Sequence, residues 1–181
     1  MGLFYTRKGD KGKSYVGKKS VDKTCIEIEA LGELDELNSL IGLLKSQKIS
    51  PTLKTTLHRV QEDLFIVQAH VAELMLDTGF KVPEFKELKV KEVEKIIDDI
   101  ENKLNPVKKF IISGSNTTSA WLDLVRTKSR SVERVVLKIK KANKLDPNIK
   151  SYLNRLSSLF FALARWEAKK AGTKEKNPLY K

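Results

Sequence analysis

A short run near the start of the chain, Tyr5-Thr-Arg-Lys-Gly-Asp-Lys-Gly-Lys-Ser14, carries the residue types that hold a phosphate. Gly9 and Gly12 let backbone amides approach an oxyanion closely, the hydroxyls of Thr6 and Ser14 can donate to its oxygens, and Arg7, Lys8, Lys11 and Lys13 neutralise its charge. The chemistry these residues offer is the binding of a polyphosphate. Gly12-Lys13-Ser14 ends like a Walker loop, but Arg7 stands where that motif needs its first glycine, and Tyr15-Val16-Gly17 does not read as a helix start. A solvated basic loop is the plain alternative.

A second group lies far down the chain. Arg126, Arg130, Glu133 and Arg134 follow one another at steps of four, three and one, which puts them along one face of a helix. Trp121, Leu124, Val125, Val132, Val135 and Ile139 supply an apolar side, so the arginines need not be buried for the helix to pack. A surface ion-pair ladder is the alternative there. Asn154, Arg155, Ser158 and Arg165 sit similarly on the next helical stretch, and none of them stands out singly. His58 and His70 are about 120° out of register on one helix, and the absence of a Glu-x-x-His pair argues against a di-iron bundle. Cys25 is the lone cysteine, so neither a Cys-based metal site nor an internal disulfide is available. With no Ser-His-Asp or Cys-His set, catalysis would have to rest on binding, orientation and electrostatics.

Helices must position these groups, because from about residue 28 onward apolar residues recur at helical spacing. The first helix is predicted from about Glu29 to Ser46, with Leu34, Leu37, Ile41 and Leu44 on one stripe and Asp35 and Asn38 beside it. Ser50-Pro51 opens the second, which carries Leu53, Leu57, Val60, Leu64, Val67, Val71 and Leu74. A third runs from about Val90 to Leu104 and stops at Asn105-Pro106. The fourth starts after Ser115-Asn116 and runs to about Lys141, and the fifth starts at Asp146-Pro147 and runs to about Ala171. No strand alternation is long enough for a central sheet. The expected fold class is all-α, in one domain over 1–181: an irregular loop or short hairpin over 1–27, a helical bundle over 28–171, and a tail over 172–181 that is free or docks on a neighbour.

Composition bounds the partners. The chain has 181 residues, 40% of them hydrophobic, and 35 Lys and Arg against 23 Asp and Glu give a net charge of +12. That balance favours an anionic partner, be it nucleotide, nucleic acid or membrane surface, and does not choose among them. Many lysines alternate with acids, as in residues 84–95, and such stretches are ordinarily solvated helix faces. No apolar run is long enough to span a bilayer, and the first residues lack the apolar core of a signal peptide. A cytoplasmic protein with no membrane partner is the expectation, and one cysteine suits a reducing compartment.

Four segments, Tyr5-Thr-Arg-Lys-Gly-Asp-Lys-Gly12, Ala30-Leu-Gly-Glu-Leu-Asp-Glu-Leu-Asn38, Val125-Arg-Thr-Lys-Ser-Arg-Ser-Val-Glu-Arg134 and Tyr152-Leu-Asn-Arg-Leu-Ser-Ser-Leu-Phe-Phe-Ala-Leu-Ala-Arg165, taken together resemble the PduO-type ATP:cob(I)alamin adenosyltransferases. Their order and spacing span nearly the whole chain. The resemblance implies a five-helix bundle of ferritin-like up-down topology without a di-iron site, assembled as a homotrimer with each active site between two subunits. It implies transfer of the adenosyl group of ATP, with Mg²⁺, to cob(I)alamin as substrate, and a reductase or an adenosylcobalamin-dependent enzyme as a further partner. Thr6, Arg7, Lys8, Gly9 and Ser14 would hold the triphosphate, joined by Lys23. Arg130, Glu133 and Arg134 would complete the nucleotide site with Ser131 among them, and Asn154 would contact the nucleotide. Asp35 would pair with Arg126 across the subunit interface, and Phe110 would match the aromatic that displaces the lower base of cobalamin.

Several positions depart from the family pattern. Ser113-Gly114-Ser115 stands for Pro-Gly-Gly, Ser131 for the second arginine of the helix-four pair, Ser158 for an aspartate, and Lys13-Ser14-Tyr15 for small hydroxyl residues. Two competing readings follow. One is a relative that binds ATP or cobalamin without turnover. The other is a nucleic-acid-binding module using Lys138, Lys140, Lys141, Lys144 and the basic tail, whose binding would fall steeply with salt and survive Arg130→Ala.

Overall fold

Apolar residues at alternating steps of four and three make a helix with one greasy stripe, and a bundle is the cheapest way to bury several such stripes at once. The computed structural model describes residues 4–76, 81–104 and 109–180, and has that architecture. Among the described residues a hairpin, β1 (Lys13–Val16) and β2 (Lys19–Asp22), precedes helices α1 (Ile26–Lys45), α2 (Pro51–Leu76), α3 (Glu87–Leu104), α4 (Thr117–Lys138) and α5 (Pro147–Lys170). A 3₁₀ turn at Ala142–Lys144 lies between the last two. The expected helix stop at Asn105-Pro106 lies outside the described residues, as does Gly2.

The hairpin is antiparallel, with Val16 paired to Lys19 and Lys13 to Asp22. Its two-residue loop takes positive φ only at Gly17, at 58°, a mirror-type turn whose twist suits a right-twisted ribbon and which glycine adopts without strain. Lys19 Nζ donates to the Met75 carbonyl at 2.7 Å, so the ribbon is tied to the end of α2.

Helix α1 packs on α2 and α4, α4 on α5, and α5 on α3. Leu34, Leu37, Ile41 and Leu44 are buried as expected, and so are Leu53, Leu57, Val60, Leu64, Val67 and Val71. Met75 rather than Leu74 completes the α2 stripe, because the helix has drifted by one position at its end. Leu124, expected on the apolar side of α4, is 46% exposed. Leu122 takes the buried place instead. Helix α4 also stops at Lys138, short of Lys141, with Ile139 turning away at ψ 130°. At its other end Asn116 accepts from the Ser119 amide at 2.9 Å while Ser119 Oγ accepts from the Asn116 amide at 3.1 Å, a reciprocal cap of two otherwise orphaned amides. Asp146 caps α5 by accepting from the Asn148 amide, with Pro147 as first helical residue.

One polar cluster locks the far side of the bundle. Tyr152 donates its hydroxyl to Asp63 at 2.9 Å, and Lys89 pairs with the same carboxylate, so α5, α2 and α3 meet at one acid. Phe85 packs edge-on against the Tyr152 ring at 5.1 Å. Burial pushes the Tyr152 hydroxyl well above the ordinary tyrosine range, and the adjacent Asp63 charge pushes it further.

That shift sets a pH dependence. In the unfolded chain Tyr152 ionises near pH ~10, whereas in the fold it stays protonated to higher pH, so its contribution is intact below pH ~10 and falls above it. Tyr152→Phe is expected to cost about 1–3 kcal/mol of stability at neutral pH. Urea unfolding from pH 8 to 11 should show the gap between wild type and variant closing above pH 10, by up to about 1.4 kcal/mol per pH unit. A gap that stays constant would mean that the hydroxyl is not held by Asp63.

Candidate functional site

The helix-four cations are brought together, but not as a ladder. Arg126 is pulled toward Asp123 one turn back, with Nε 3.4 Å from Oδ1 and no hydrogen bond on that nitrogen. Arg134 donates to Ser131 Oγ at 3.1 Å. Glu133 accepts from Asn154 Nδ2 at 2.8 Å, which ties α4 to α5 at this level. Asn154 in turn accepts from Arg155 Nη1, and Arg155 Nε pairs with Glu94 of α3 at 2.8 Å. Arg130 is exposed and has no ion pair or hydrogen bond among the described residues. Asp35, exposed on α1, is in the same condition, and it does not meet Arg126 within one chain.

Arg126 and Arg130 form one lip of a cleft of about 420 Å³ between α3, α4 and α5. Ile97, Ile100 and Leu104 of α3 line its apolar wall, with Phe161 and Ala162 facing them from α5, and Ser157 and Ser158 stand near the mouth. At its base lies Arg165, 5% exposed, with Nη2 2.7 Å from Asp123 Oδ2 and Nε 2.8 Å from Glu175 Oε1. Its guanidinium also lies 5.1 Å from the centre of the Phe161 ring. A half-apolar cleft rimmed by the unpaired Arg130 and by Arg126, which leans on Asp123, suits a large, partly apolar ligand that carries or meets negative charge. Asp123, Arg165 and Glu175 were not legible as a unit. The only local signal is an acid inside the apolar run Trp121-Leu-Asp-Leu-Val125, where a charge requires a partner.

Lys128 was missed as well. It reaches across to Glu33 at 2.9 Å and Glu36 at 2.6 Å on α1. Burial pulls its pKa down, but the two carboxylates outweigh that and leave it above the ordinary lysine range. The pairing fixes α1, and with it Asp35, against the arginine-bearing helix.

The N-terminal loop keeps its anion-binding character without touching this region. Arg7 holds φ at 59°, a left-handed conformation that costs a residue with a β-carbon on the order of 1–3 kcal/mol and persists only where the surrounding structure holds it. Its guanidinium lies over the Tyr5 ring and Lys8 Nζ over the Tyr15 ring. Thr6 Oγ1 accepts from the Lys8 amide at 3.4 Å. A side chain at Gly9 would meet Lys23 Nζ at 3.0 Å, so the bare backbone there lets the lysine lean over the loop. Ser14 sits in β1 opposite Val21, and Lys13 is partly neutralised by Asp22 at 2.6 Å. Among the described residues no hydrogen bond or ion pair joins Thr6, Arg7, Lys8, Gly9, Ser14 or Lys23 to Arg126, Arg130, Glu133, Arg134 or Asn154. One copy of the chain therefore presents cations on two elements, the loop and α4, of which only the α4 arginines border the cleft.

Phe110 is 78% exposed and stands before a turn in which Gly114 has φ 96°. The tail does not hang free. It folds back on its own chain: Ile112 donates its amide to the Lys176 carbonyl at 2.8 Å, and Asn177 Nδ2 donates to the Phe110 carbonyl at 2.7 Å. His58 lies on the surface near Glu62, and His70 donates to the Pro83 carbonyl. No cluster of three or more His, Cys, Asp or Glu able to hold a metal is found among the described residues, and no helix there is long and apolar enough to cross a membrane.

Comparison with known proteins agrees with this architecture over almost the full chain. The sequence profile of the family described as cobalamin adenosyltransferase matches residues 4–167. The corrinoid adenosyltransferase of Citrobacter freundii is 33% identical over 164 residues, covering 90% of this chain and 93% of the relative. That of Bacillus subtilis is 34% identical over 165 residues, covering 89% and 84%. A variant of the PduO-type ATP:corrinoid adenosyltransferase from Lactobacillus reuteri, solved with cobalamin and ATP, superposes with a TM-score of 0.90 at 29% identity, over 98% of this chain and 97% of that one. A five-helix bundle, a cationic loop and a half-apolar cleft bordered by the α4 arginines thus meet a matching sequence over the same residues, and the chain belongs to the cobalamin adenosyltransferase family.

Proposed function

We propose that this chain transfers the 5′-deoxyadenosyl group of ATP to cob(I)alamin, releasing triphosphate, at a site shared between neighbouring subunits of a homotrimer. The observation that carries the shared site is that no residue of the cationic loop lines the cleft that Arg126 and Arg130 border in one chain, while Asp35 and Arg130 stay unpaired among the described residues. A head-to-tail ring of subunits would bring one copy's loop to another copy's helix α4. Asp35 of one subunit would then pair with Arg126 of the next, which explains why an exposed acid and a poorly satisfied arginine are retained at these positions.

In this reading Thr6, Arg7, Lys8, Gly9, Ser14 and Lys23 hold the triphosphate, and Arg130, Arg134 and the Glu133–Asn154 pair orient the nucleoside end, with Ser131 beside them. Cobalt(I) supplies an electron pair to the 5′ carbon, the Co–C bond forms as the C5′–O bond breaks, and triphosphate leaves with the bonding electrons. No proton has to move at carbon, so no general base is needed. Alignment of the two reactants can be worth roughly 7–11 kcal/mol of barrier. Cations on the leaving group lower the barrier further because charge accumulates there as the bond breaks. Glu133 is the only acid in the predicted nucleotide set, so Mg²⁺ would be held chiefly by phosphate oxygens, where it neutralises charge. Phe110 would present an apolar wall that excludes a lower ligand from the corrin, and the cleft beside Phe161 would take part of the ring. Since cobalt must arrive reduced, a reductase is the expected upstream partner, an adenosylcobalamin-dependent enzyme the downstream one, and a cytoplasmic location the natural setting.

Incubation of the protein with reduced cobalamin and Mg-ATP under anaerobic conditions should give adenosylcobalamin. Arg130→Ala should lower kcat/KM by about 10²–10³-fold while leaving the helical circular dichroism unchanged. ATP binding without any transfer would instead favour a non-catalytic relative, with Ser131 and Ser158 as the first positions to restore.

The shared site makes a separate prediction. Asp35→Ala and Arg126→Ala should each be nearly inactive alone. When the two are co-expressed with different tags and purified as mixed trimers, each ring has one of its interfaces with both native residues, so activity should return to about one third of wild type. Mixed trimers as inactive as their parents would rule out pairing across an interface.

A further inference from the structure

The C-terminal residues make contacts that neither the bundle nor the reaction as proposed requires. After α5 ends, Gly172 takes φ 65° and the chain reverses. Thr173 accepts from Asn116 Nδ2 at 3.2 Å and donates to the Ala168 carbonyl at 3.0 Å, so the residue that caps α4 also holds the tail. Glu175 joins the buried Asp123–Arg165 pair as an ion pair at Arg165 Nε, 2.8 Å away but not aligned as a hydrogen bond. Lys176 then accepts from the Ile112 amide, and Asn177 reaches the Phe110 carbonyl. Among the described residues, these two are the only hydrogen bonds on the stretch 109–113. The Phe110 segment thus has no helix or sheet to fix it, and its bonds go to a tail that is itself held at Arg165 on the floor of the cleft.

We propose that residues 173–177 form a strap that positions the Phe110 segment, with Glu175 as its anchor on Arg165 and Asn177 as its contact to Phe110. This inference rests on Phe110 facing the corrin, as proposed above. Arg165 is at once the strap's anchor and part of the cleft lining, so the cleft floor and the Phe110 wall are mechanically joined. Asp123 keeps Arg165 paired if Glu175 is lost, so the strap can be released without leaving a buried charge alone. The family profile match ends at residue 167, so the strap lies beyond the matched pattern.

The test uses full-length Glu175→Ala and Asn177→Asp beside wild type. Asn177→Asp keeps the size of the side chain but removes the N–H donor, so a role in filling space would survive it and a role in holding the Phe110 carbonyl would not. Amide exchange across residues 109–113 should speed up about tenfold in both variants, with the cores of α1, α4 and α5 unchanged. With ATP bound, the electron paramagnetic resonance signal of four-coordinate cobalt(II) corrin should fall several-fold, while KM for ATP stays within about twofold. Unchanged exchange at 109–113 overturns the strap whatever the activity. Faster exchange with an unaltered four-coordinate signal also overturns it, because the segment would then be held without being positioned for the corrin. If wild type itself neither forms that signal nor transfers the adenosyl group, the reading of the reaction fails, and the exchange measurement alone decides whether the strap holds the segment.

Discussion

Arg165 is a cation sunk at the seam between α4 and α5, and a charge at 5% exposure is tolerable only with partners in contact. Asp123 supplies the first and Glu175 the second, and through them three otherwise separate parts of the molecule become interdependent. Asp123 also draws Arg126 inward from the rim of the cleft. Glu175 ties the tail to the bundle, although burial and the nearby Asp123 raise its pKa above the ordinary carboxylate range while Arg165 pulls it back. The cleft floor, the α4 rim and the Phe110 segment all take their places from this one buried group. Removing Asp123 would leave Arg165 with a single, half-solvated carboxylate, a far larger disturbance than the loss of any surface pair.

Against that fixed floor, the cations that matter to an anionic ligand are the ones left without partners. Arg130 is exposed and unpaired among the described residues, whereas Lys128 and Arg155 are spent on holding helices together. Ion pairs take up only some of the basic side chains of a chain of net charge +12, so selectivity for an anion would come from which cations border the cleft rather than from net charge. The nucleic-acid alternative relied on Lys138, Lys140, Lys141 and Lys144, which lie at the end of α4 and around the 3₁₀ turn, away from the cleft lining. The belonging of the chain to an adenosyltransferase family gives that alternative no support.

The sequence made the helices legible because their stripes are long and regular. Ser50-Pro51, Asn116 and Asp146-Pro147 marked helix starts correctly, since capping is a local interaction that local residue types reveal. Inward-facing positions were read less well: Leu124 looked interior because its neighbours are apolar, and only the three-dimensional packing tells that Leu122 rather than Leu124 faces inward. The Arg126–Arg134 face was found from spacing, but its pairings were not, because Asp123 and Asn154 reach it from the next turn and from another helix. Arg165 looked ordinary in a one-dimensional reading. Its importance comes from Asp123, 42 residues earlier, and from Glu175 in a tail with no periodicity at all. The resemblance of four segments, by contrast, located the loop and the helix-four residues at once, since it draws on order and spacing along the whole chain.

The central claim is displacement at the 5′ carbon by a nucleophile that needs positioning rather than a base. It is tested most directly by a single turnover with excess enzyme, Mg-ATP and cob(I)alamin, followed by phosphorus NMR of the quenched mixture together with the absorbance of the corrin. The result expected is one equivalent of intact triphosphate for each adenosylcobalamin formed, at a rate that does not titrate between pH 6 and 9 through any protein group. Release of diphosphate or orthophosphate as the first product, or of either without a cobalt–carbon bond, would contradict it.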